Sequence, residues 1–168
     1  MTPFRPDSFR LDHDLRGILS AMTALFTPIA IGHARTPFTE VSTIPKGPGT
    51  QHVATGTIEL LPEFEEGLLD IDGFSHLYII WVFDHSDGWA LTGMPPGETT
   101  PHGVFATRSP YRPNPIALTT VELLGRDGAK LHVRGVDMLD GTPILDIKPY
   151  SSTIPAEKLT LGWLAKRQ

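Results

Sequence analysis

The chain has 168 residues, a hydrophobic fraction of 40% and a formal net charge of −5 at pH 7. These values are typical of one soluble globular domain with its own core. Because the sequence contains no cysteine, disulfides, thiolate catalysis and cysteine-ligated metal sites are excluded. The acidic balance argues against a broad, sequence-independent nucleic-acid surface.

Targeting, membrane and metal-binding signals are missing from the sequence. No apolar run approaches the length of a membrane-spanning helix, and the N-terminus does not have the pattern of a secretory signal. The histidines form no pair at metal-ligand spacing. We therefore expect a cytoplasmic protein that uses neither a membrane nor a metal.

The first half of the chain is predicted to begin with a helix and continue as strands. Apolar residues recur at helical spacing over residues 8–26, until Pro28 ends the pattern. Residues 28–35 are then predicted to be a strand. Residues 53–61 are predicted to be another, because they are rich in threonine and branched apolar residues. A helical turn with solvated glutamates is expected at residues 62–69.

The second half is predicted to be mostly β-structure. Residues 73–83 are almost continuously apolar, which predicts a long strand buried on both faces. Arg126-Asp127-Gly128 is a strong hairpin signal between two further strands. The remaining predicted segments are a loop at 84–101, strands at 104–107, 116–124, 130–136 and 143–147, and a terminal helix at 156–167.

This pattern predicts a mainly β, single-domain fold. Six or seven strands joined mostly by hairpins favour an antiparallel barrel or sandwich with attached helices. Regular alternation of strands and helices is absent, so a doubly wound Rossmann sheet is not expected. We predict a small antiparallel β-barrel over residues 28–150, an N-terminal helical extension over 1–27 and a C-terminal helical tail over 151–168.

The segment from Gly103 to Ile116 is the most informative part of the sequence. Its prolines at 110, 113 and 115 fix φ near about −65° and restrict the residues that precede them. The segment displays four polar side chains on this stiff backbone: Arg108, Tyr111, Arg112 and Asn114. Preorganised donors of this kind suit a carboxylate or a phosphate. We predict a functional loop, with a structural brace as the alternative.

Two pairs of charged residues near the end of the chain have both a structural and a functional interpretation. Asp137 and Asp140 flank a predicted turn, where aspartates often bond to the backbone. Asp146 and Lys148 lie two residues apart on one face of a strand. An internal ion pair explains the second pair almost as well as catalysis does.

Two further segments carry potential ligand contacts. Asp84 and His85 follow the long apolar strand, and strand ends commonly carry such contacts. Lys46-Gly47-Pro48-Gly49 is a glycine-rich loop that follows Ile44-Pro45. It is no Walker motif, but its backbone amides suit an anion or an adenine edge.

Two long motifs, at residues 103–116 and 140–150, resemble those of the TsaA-like (TrmO) family, and weaker matches lie at 32–38, 45–49 and 74–83. The resemblance implies a small β-barrel that binds S-adenosylmethionine (SAM) and works as a homodimer with the cofactor pocket near the subunit interface. It also implies methylation of N6 of threonylcarbamoyladenosine, next to the tRNA anticodon. Longer members of the family have a C-terminal extension that we expect to contribute to tRNA binding and to be missing here.

The resemblance also implies roles for individual residues. The expected catalytic residues are Arg108, which would bind an anionic group or hold the loop, and Asp137 or Asp140, which would take the N6 proton. Tyr111, Arg112 and Asn114 are the expected substrate contacts. The expected cofactor contacts, besides Arg108, are Pro45, Lys46, Gly47, Asp84, His85, Leu118, Arg134, Gly135, Val136 and Asp137.

Two alternative functions remain open at this stage. The first is a SAM-dependent methyltransferase of the same fold with another acceptor. The second is a regulatory module that binds SAM or a nucleotide without turnover. A basic surface beside the pocket would favour tRNA over both alternatives.

Overall fold

The computed structural model describes residues 27–45, 52–151 and 154–167. The helix predicted at residues 8–26 lies outside the described residues, and so do Lys46 and Gly47. Within the described ranges, no helix has the length and apolar character needed to cross a membrane.

Six strands close into an antiparallel barrel, which confirms the predicted mainly β architecture. The strands are β1 (Gly32–Arg35), β2 (Thr55–Leu60), β3 (His76–Val82), β6 (Ile116–Asp127), β7 (Lys130–Arg134) and β8 (Pro143–Pro149). Around the barrel they follow the order β1-β2-β7-β6-β3-β8, and β8 pairs with β1 to close it. Two short strands, β4 (Thr92–Gly93) and β5 (His102–Gly103), pair with each other outside the barrel.

The alternation of side chains along β7 shows why this sequence closes around a core. Leu131 and Val133 are fully buried, whereas Lys130, His132 and Arg134 are exposed. Successive residues of a strand point to opposite faces, so one face enters the barrel and the other meets solvent. The sequence predicted this alternation, and the structure confirms it.

The barrel interior holds one apolar core. Leu68 and Ile71, from the 3₁₀ turns between β2 and β3, join this core. The other buried members come from the barrel strands and from the segment after β7: Ala34, Ile58, Leu60, Leu77, Ile79, Trp81, Val121, Leu131, Val133, Val136, Met138 and Ile144.

The predicted hairpin is present, and it is anchored to a neighbouring turn. β6 and β7 are joined by Gly128 and Ala129, and Gly128 has a φ of +56°, which glycine adopts without steric cost. Arg126 donates from Nε to the Gly128 carbonyl at 2.7 Å and from Nη1 to the Leu68 carbonyl at 3.0 Å. One guanidinium therefore ties the hairpin end to the 3₁₀ turn after β2.

Two strand predictions differ from the structure. Residues 104–107 are not a strand: Val104–Ala106 form a 3₁₀ turn. Thr107 closes this turn, because its amide and its Oγ1 both donate to the Val104 carbonyl. The strand predicted from residue 73 begins at His76, since Ile71–Gly73 is another 3₁₀ turn. Its outer face is half-buried rather than buried.

The single helix predicted at 156–167 is also wrong. The structure has two 3₁₀ turns, Ala156–Lys158 and Gly162–Arg167. Gly162 has a φ of +56°, which is incompatible with a continuous right-handed helix. Apolar periodicity alone therefore predicted the wrong secondary structure here. The segment contacts the rest of the chain through the side chain of Trp163 rather than through the apolar face of a helix.

Candidate active site

The segment from Gly103 to Ile116, called the proline loop from here on, folds through a chain of local hydrogen bonds. The Ser109 amide donates to Thr107 Oγ1 at 3.3 Å, and the Tyr111 amide donates to Ser109 Oγ at 3.2 Å. Such side-chain-to-backbone bonds replace the ladder that a strand would provide. The loop therefore has a defined shape before any ligand binds.

Three backbone hydrogen bonds attach this loop to the end of β3 and to the segment that follows it. The Phe83 amide donates to the Pro115 carbonyl at 2.8 Å. The Ala90 amide donates to the Tyr111 carbonyl at 3.4 Å, and the Val104 amide to the Leu91 carbonyl at 2.8 Å. The loop is thereby held beside the point where β3 ends and β6 begins.

The two arginines of the loop have different environments. Arg112 Nη1 donates to the carbonyls of Thr107 at 3.0 Å and Ser109 at 3.4 Å, so its guanidinium braces its own loop. Arg108 is exposed. Of the predicted substrate contacts, Tyr111 and Asn114 are also exposed. The geometry leaves Arg108 better placed than Arg112 to meet an anionic ligand.

A directional hydrogen-bond chain leads from the barrel interior to Asp137. Trp81 Nε1 donates to Thr119 Oγ1 at 2.9 Å, and Thr119 Oγ1 donates to Asp137 Oδ1 at 2.5 Å. An indole nitrogen can only donate. Thr119 must therefore accept from Trp81, which leaves its own proton for the carboxylate. Trp81 and Thr119 are 5% and 1% exposed, so this chain is fixed in the core.

Glycine at position 135 allows the chain to reach this arrangement. Gly135 has a φ of +98°, in the region that only glycine adopts readily. The amides of Gly135 and Val136 both donate to the Ala54 carbonyl, at 2.8 and 3.3 Å. The bend buries Val136 completely and brings Asp137 to Thr119. Val136, one of the predicted cofactor contacts, therefore packs in the core.

Burial raises the pKa of Asp137 above its ordinary value, because the charged carboxylate loses hydration. The hydrogen bond from Thr119 opposes this rise, as do the charges of Arg108 and His52. Arg108 and His52 therefore both favour the charged form of the Asp137 carboxyl. The structure brings together residues from the proline loop, β6, the end of β7 and the segment before β2.

Asp140 lies in a different environment from Asp137. Its Oδ1 accepts a hydrogen bond from the Thr36 amide at 3.0 Å, and its Oδ2 lies 3.9 Å from Arg35 Nη1. Gly141 follows with a φ of +81°. These contacts fix the turn between β7 and β8 against the end of β1. They favour the structural interpretation of Asp140, and Asp137 is the better candidate for proton transfer.

The remaining predicted cofactor contacts lie on the surface. Arg134 forms an exposed ion pair with Glu122, 2.7 Å from Nη1 to Oε2. Asp84 Oδ2 lies 3.5 Å from His85 Nε2, just after β3. Leu118 is 43% exposed on the outer face of β6. Pro45 is half-buried at the edge of the described residues.

Asp146 and Lys148 form an ion pair of 2.7 Å on the outer face of β8. Both side chains are exposed there, which agrees with the structural interpretation that the sequence left open. An exposed pair of this kind contributes little to stability. Its carboxylate therefore provides a useful comparison for Asp137.

Sequence reasoning missed three members of this site: Trp81, Thr119 and His52. The available signal was the inward position of Thr119, a polar residue within the buried alternation of β6. A buried hydroxyl requires hydrogen-bond partners. Their identity depended on how β3, β6 and the chain after β7 meet in space, and no sequence spacing encodes that meeting.

Comparison with known proteins identifies the family. Residues 33–156 match the family described as the tRNA-methyltransferase O N-terminal domain. A probable S-adenosyl-L-methionine-binding protein of Archaeoglobus fulgidus is 48% identical over 79% of this chain and 36% of its own length. The tRNA (adenine(37)-N6)-methyltransferase of Escherichia coli is 39% identical over 71% of this chain and 55% of its own length.

Solved structures agree with this assignment. A crystal structure of TrmO superposes with a TM-score of 0.67 at 37% identity, covering 80% of this chain and 62% of that one. This chain therefore spans only part of several longer relatives. The resemblance carried by the two long motifs is confirmed, and the chain belongs to the family of the tRNA-methyltransferase O N-terminal domain.

Proposed function

We propose that this protein is a SAM-dependent methyltransferase that acts on N6 of an adenosine in tRNA. The observation that carries the proposal is the buried hydrogen-bond chain that runs from Trp81 through Thr119 to the Asp137 carboxylate. The names of the relatives support the same activity, since they include SAM-binding proteins and tRNA (adenine(37)-N6)-methyltransferases.

The residues present fit SAM, which carries a carboxylate, an ammonium and a cationic sulfonium. The exposed guanidinium of Arg108 suits the carboxylate, and the carboxylate of Asp84 suits a cationic group. Leu118 provides an exposed apolar surface for the adenine. When bound, SAM supplies an electrophilic methyl group on sulfur. Lys46 and Gly47 remain predicted contacts from the family resemblance.

The protein would contribute mainly positioning, because a sulfonium donor needs little activation. We assign Asp137 as the acceptor of the N6 proton. Since Oδ1 accepts the hydrogen bond from Thr119, the proton goes to Oδ2. Removal of this proton would leave the N6 electron pair available for the methyl group that bound SAM would supply.

The environment of Asp137 suits this role. Burial raises its pKa, and a carboxylate with a raised pKa is a stronger base near neutral pH. Thr119, Arg108 and His52 limit the rise, which favours the charged form that a base requires. Opposing contributions of this kind are common where a side chain transfers protons.

We infer that the acceptor is N6 of threonylcarbamoyladenosine. A ureido N–H is more acidic than the amine of plain adenosine, so a carboxylate is an adequate base for it. The comparison is direct: tRNA with and without the threonylcarbamoyl group is offered to the enzyme with labelled SAM. Equal labelling of both tRNAs would contradict this choice of acceptor.

We also propose that the protein acts as a homodimer. Ile116 and Leu118 are 41% and 43% exposed, and both lie on the outer face of β6. Apolar residues grouped in this way suit an interface. Sedimentation equilibrium tests the proposal: a mass of two chains supports it, and a monomer at assay concentrations refutes it.

The decisive test of the reaction is transfer of a labelled methyl group from SAM to tRNA, with the product identified as N6-methylated adenosine. Asp137→Asn keeps the size of the side chain and removes the base, and we expect a loss of about 10²–10⁴-fold in kcat. Asp146→Asn is the matched control, because Asp146 lies on the outer face of β8, where it pairs with Lys148 and accepts a hydrogen bond from the Ile147 amide. Transfer at the wild-type rate by Asp137→Asn would remove Asp137 from the proposed role.

A further inference from the structure

The side chain of Trp163, in the C-terminal segment, contacts the start of the proline loop and the residue just before it. The indole ring stacks on the imidazole of His102, with centroids 4.3 Å apart and planes 13° from parallel. Its Nε1 donates a hydrogen bond of 2.9 Å to the Ala106 carbonyl. Trp163 lies beyond residues 33–156, the part that matches the family.

Only Trp163 among the large apolar residues of this segment is half-buried. Leu159, Leu161 and Leu164 are between 40% and 52% exposed. The segment is therefore fastened to the barrel by one side chain rather than by an apolar face. A stack and a hydrogen bond at a single residue fix position more than they bury area.

The residues that Trp163 contacts lead directly to Arg108. Ala106 ends the 3₁₀ turn that is closed by Thr107, and the side chain of Val104 in the same turn is buried at 3% exposure. The Thr107 hydroxyl accepts from the Ser109 amide. Arg108 lies between these two bonded residues, so its backbone is held on both sides while its side chain is free to meet solvent.

Two anchors therefore hold the backbone that carries Arg108. One is the buried side chain of Val104, and the other is the clasp that Trp163 makes on His102 and Ala106. Besides the second anchor, the outer side of the turn is held by the short β4–β5 pairing, by the backbone bond from Val104 to Leu91 and by a 3.9 Å contact between His102 Nε2 and Glu98 Oε2. A two-residue ladder is a weak restraint.

We propose that Trp163 is a positioning residue that holds the 102–109 segment and thereby sets the place of Arg108 relative to Asp137. The inference rests on the proposed function in one respect, which is that Arg108 contacts bound SAM. The clasp itself is independent of that assumption. It is a feature of this chain outside the matched family region.

The test combines SAM titration with hydrogen exchange on the full chain. Trp163→Ala should weaken SAM binding about five- to twentyfold, the equivalent of about 1–2 kcal/mol for a lost hydrogen bond and ring contact. Trp163→Phe keeps a ring for the stack and removes the donor, so it should recover part of the affinity. Leu164→Ala, in the same turn but 43% exposed, should bind SAM like the wild type.

Hydrogen exchange separates the two proposals. Trp163→Ala should speed exchange of the Thr107 and Ser109 amides while barrel amides such as Leu131 stay protected. If exchange at Thr107 and Ser109 does not change, the clasp does not hold the loop and the inference is wrong. If exchange rises but Arg108→Ala binds SAM as the wild type does, Arg108 is not a cofactor contact and that part of the proposed function fails. Lower thermal stability with unchanged SAM affinity would make Trp163 merely structural.

Discussion

Thr119→Val tests the hydrogen-bond chain at its centre. The substitution keeps the branched shape of the side chain and removes the hydroxyl that joins Trp81 to Asp137. The Trp81 N–H is then buried without an acceptor, which costs about 1–3 kcal/mol at any pH. The Asp137 carboxylate also loses a donor.

The loss at Asp137 depends on pH, and its sign follows from linkage. A hydrogen bond to the charged form lowers a carboxyl pKa, so its removal raises the pKa of Asp137 further. The folded variant then holds its proton to higher pH than the unfolded chain, and stability falls as pH rises through that window. A hydrogen bond to a charged group contributes about 1.5–3 kcal/mol. We expect the deficit of the variant to grow by that amount between acidic and mildly alkaline pH.

Urea unfolding of both proteins at several pH values between 4 and 8 measures this growth. Thr120→Val is the control, because Thr120 lies on the opposite face of the same strand. Trp81→Phe removes the unpaired N–H, so the double variant Trp81→Phe/Thr119→Val should lose less stability than the sum of the two single variants. A deficit that is the same at pH 4 and pH 8 would show that Thr119 does not stabilise the ionised carboxylate.

Three further predictions concern other parts of the molecule. Because burial raises the pKa of Asp137 in the folded state, this group makes a contribution to wild-type stability that is present below the unfolded pKa and lost as pH rises through the folded pKa. Asp137→Asn should lack this contribution. Urea unfolding that shows the same pH dependence in both proteins would contradict the prediction. Gly32→Ala should destabilise the barrel by about 1–3 kcal/mol, because a Cβ there would lie 2.2 Å from the Glu59 carbonyl oxygen; Gly93→Ala, with no atom within 4 Å of its added Cβ, should leave the thermal midpoint close to that of the wild type. Arg126→Met should lower the free energy of unfolding by about 1–3 kcal/mol, because it leaves the carbonyls of Gly128 and Leu68 without their donor, whereas Arg134→Met, which breaks only an exposed ion pair, should change it little.

The barrel itself was predictable because local patterns encode it. Alternation along residues 130–134 specifies one inward and one outward face, and Arg126-Asp127-Gly128 specifies the bend before them. Strand ends were less predictable: residues 104–107 have strand-like composition, but the hydroxyl of Thr107 closes a 3₁₀ turn instead. The terminal helix failed for a similar reason, since Gly162 interrupts it.

The sequence by itself determined the family, the fold class and the loop that carries Arg108, because two long motifs and an alternating pattern are properties of neighbouring residues. Only the tertiary structure decided which aspartate meets the buried Thr119 and which one fixes a surface turn. Asp137 and Asp140 are three residues apart, yet Gly135 turns the first toward Thr119, while the second binds Thr36. Trp81, Thr119 and Asp137 meet because β3 and β6 pair in one register and the chain after β7 bends back over them. Such a contact depends on barrel closure, and no local pattern records it.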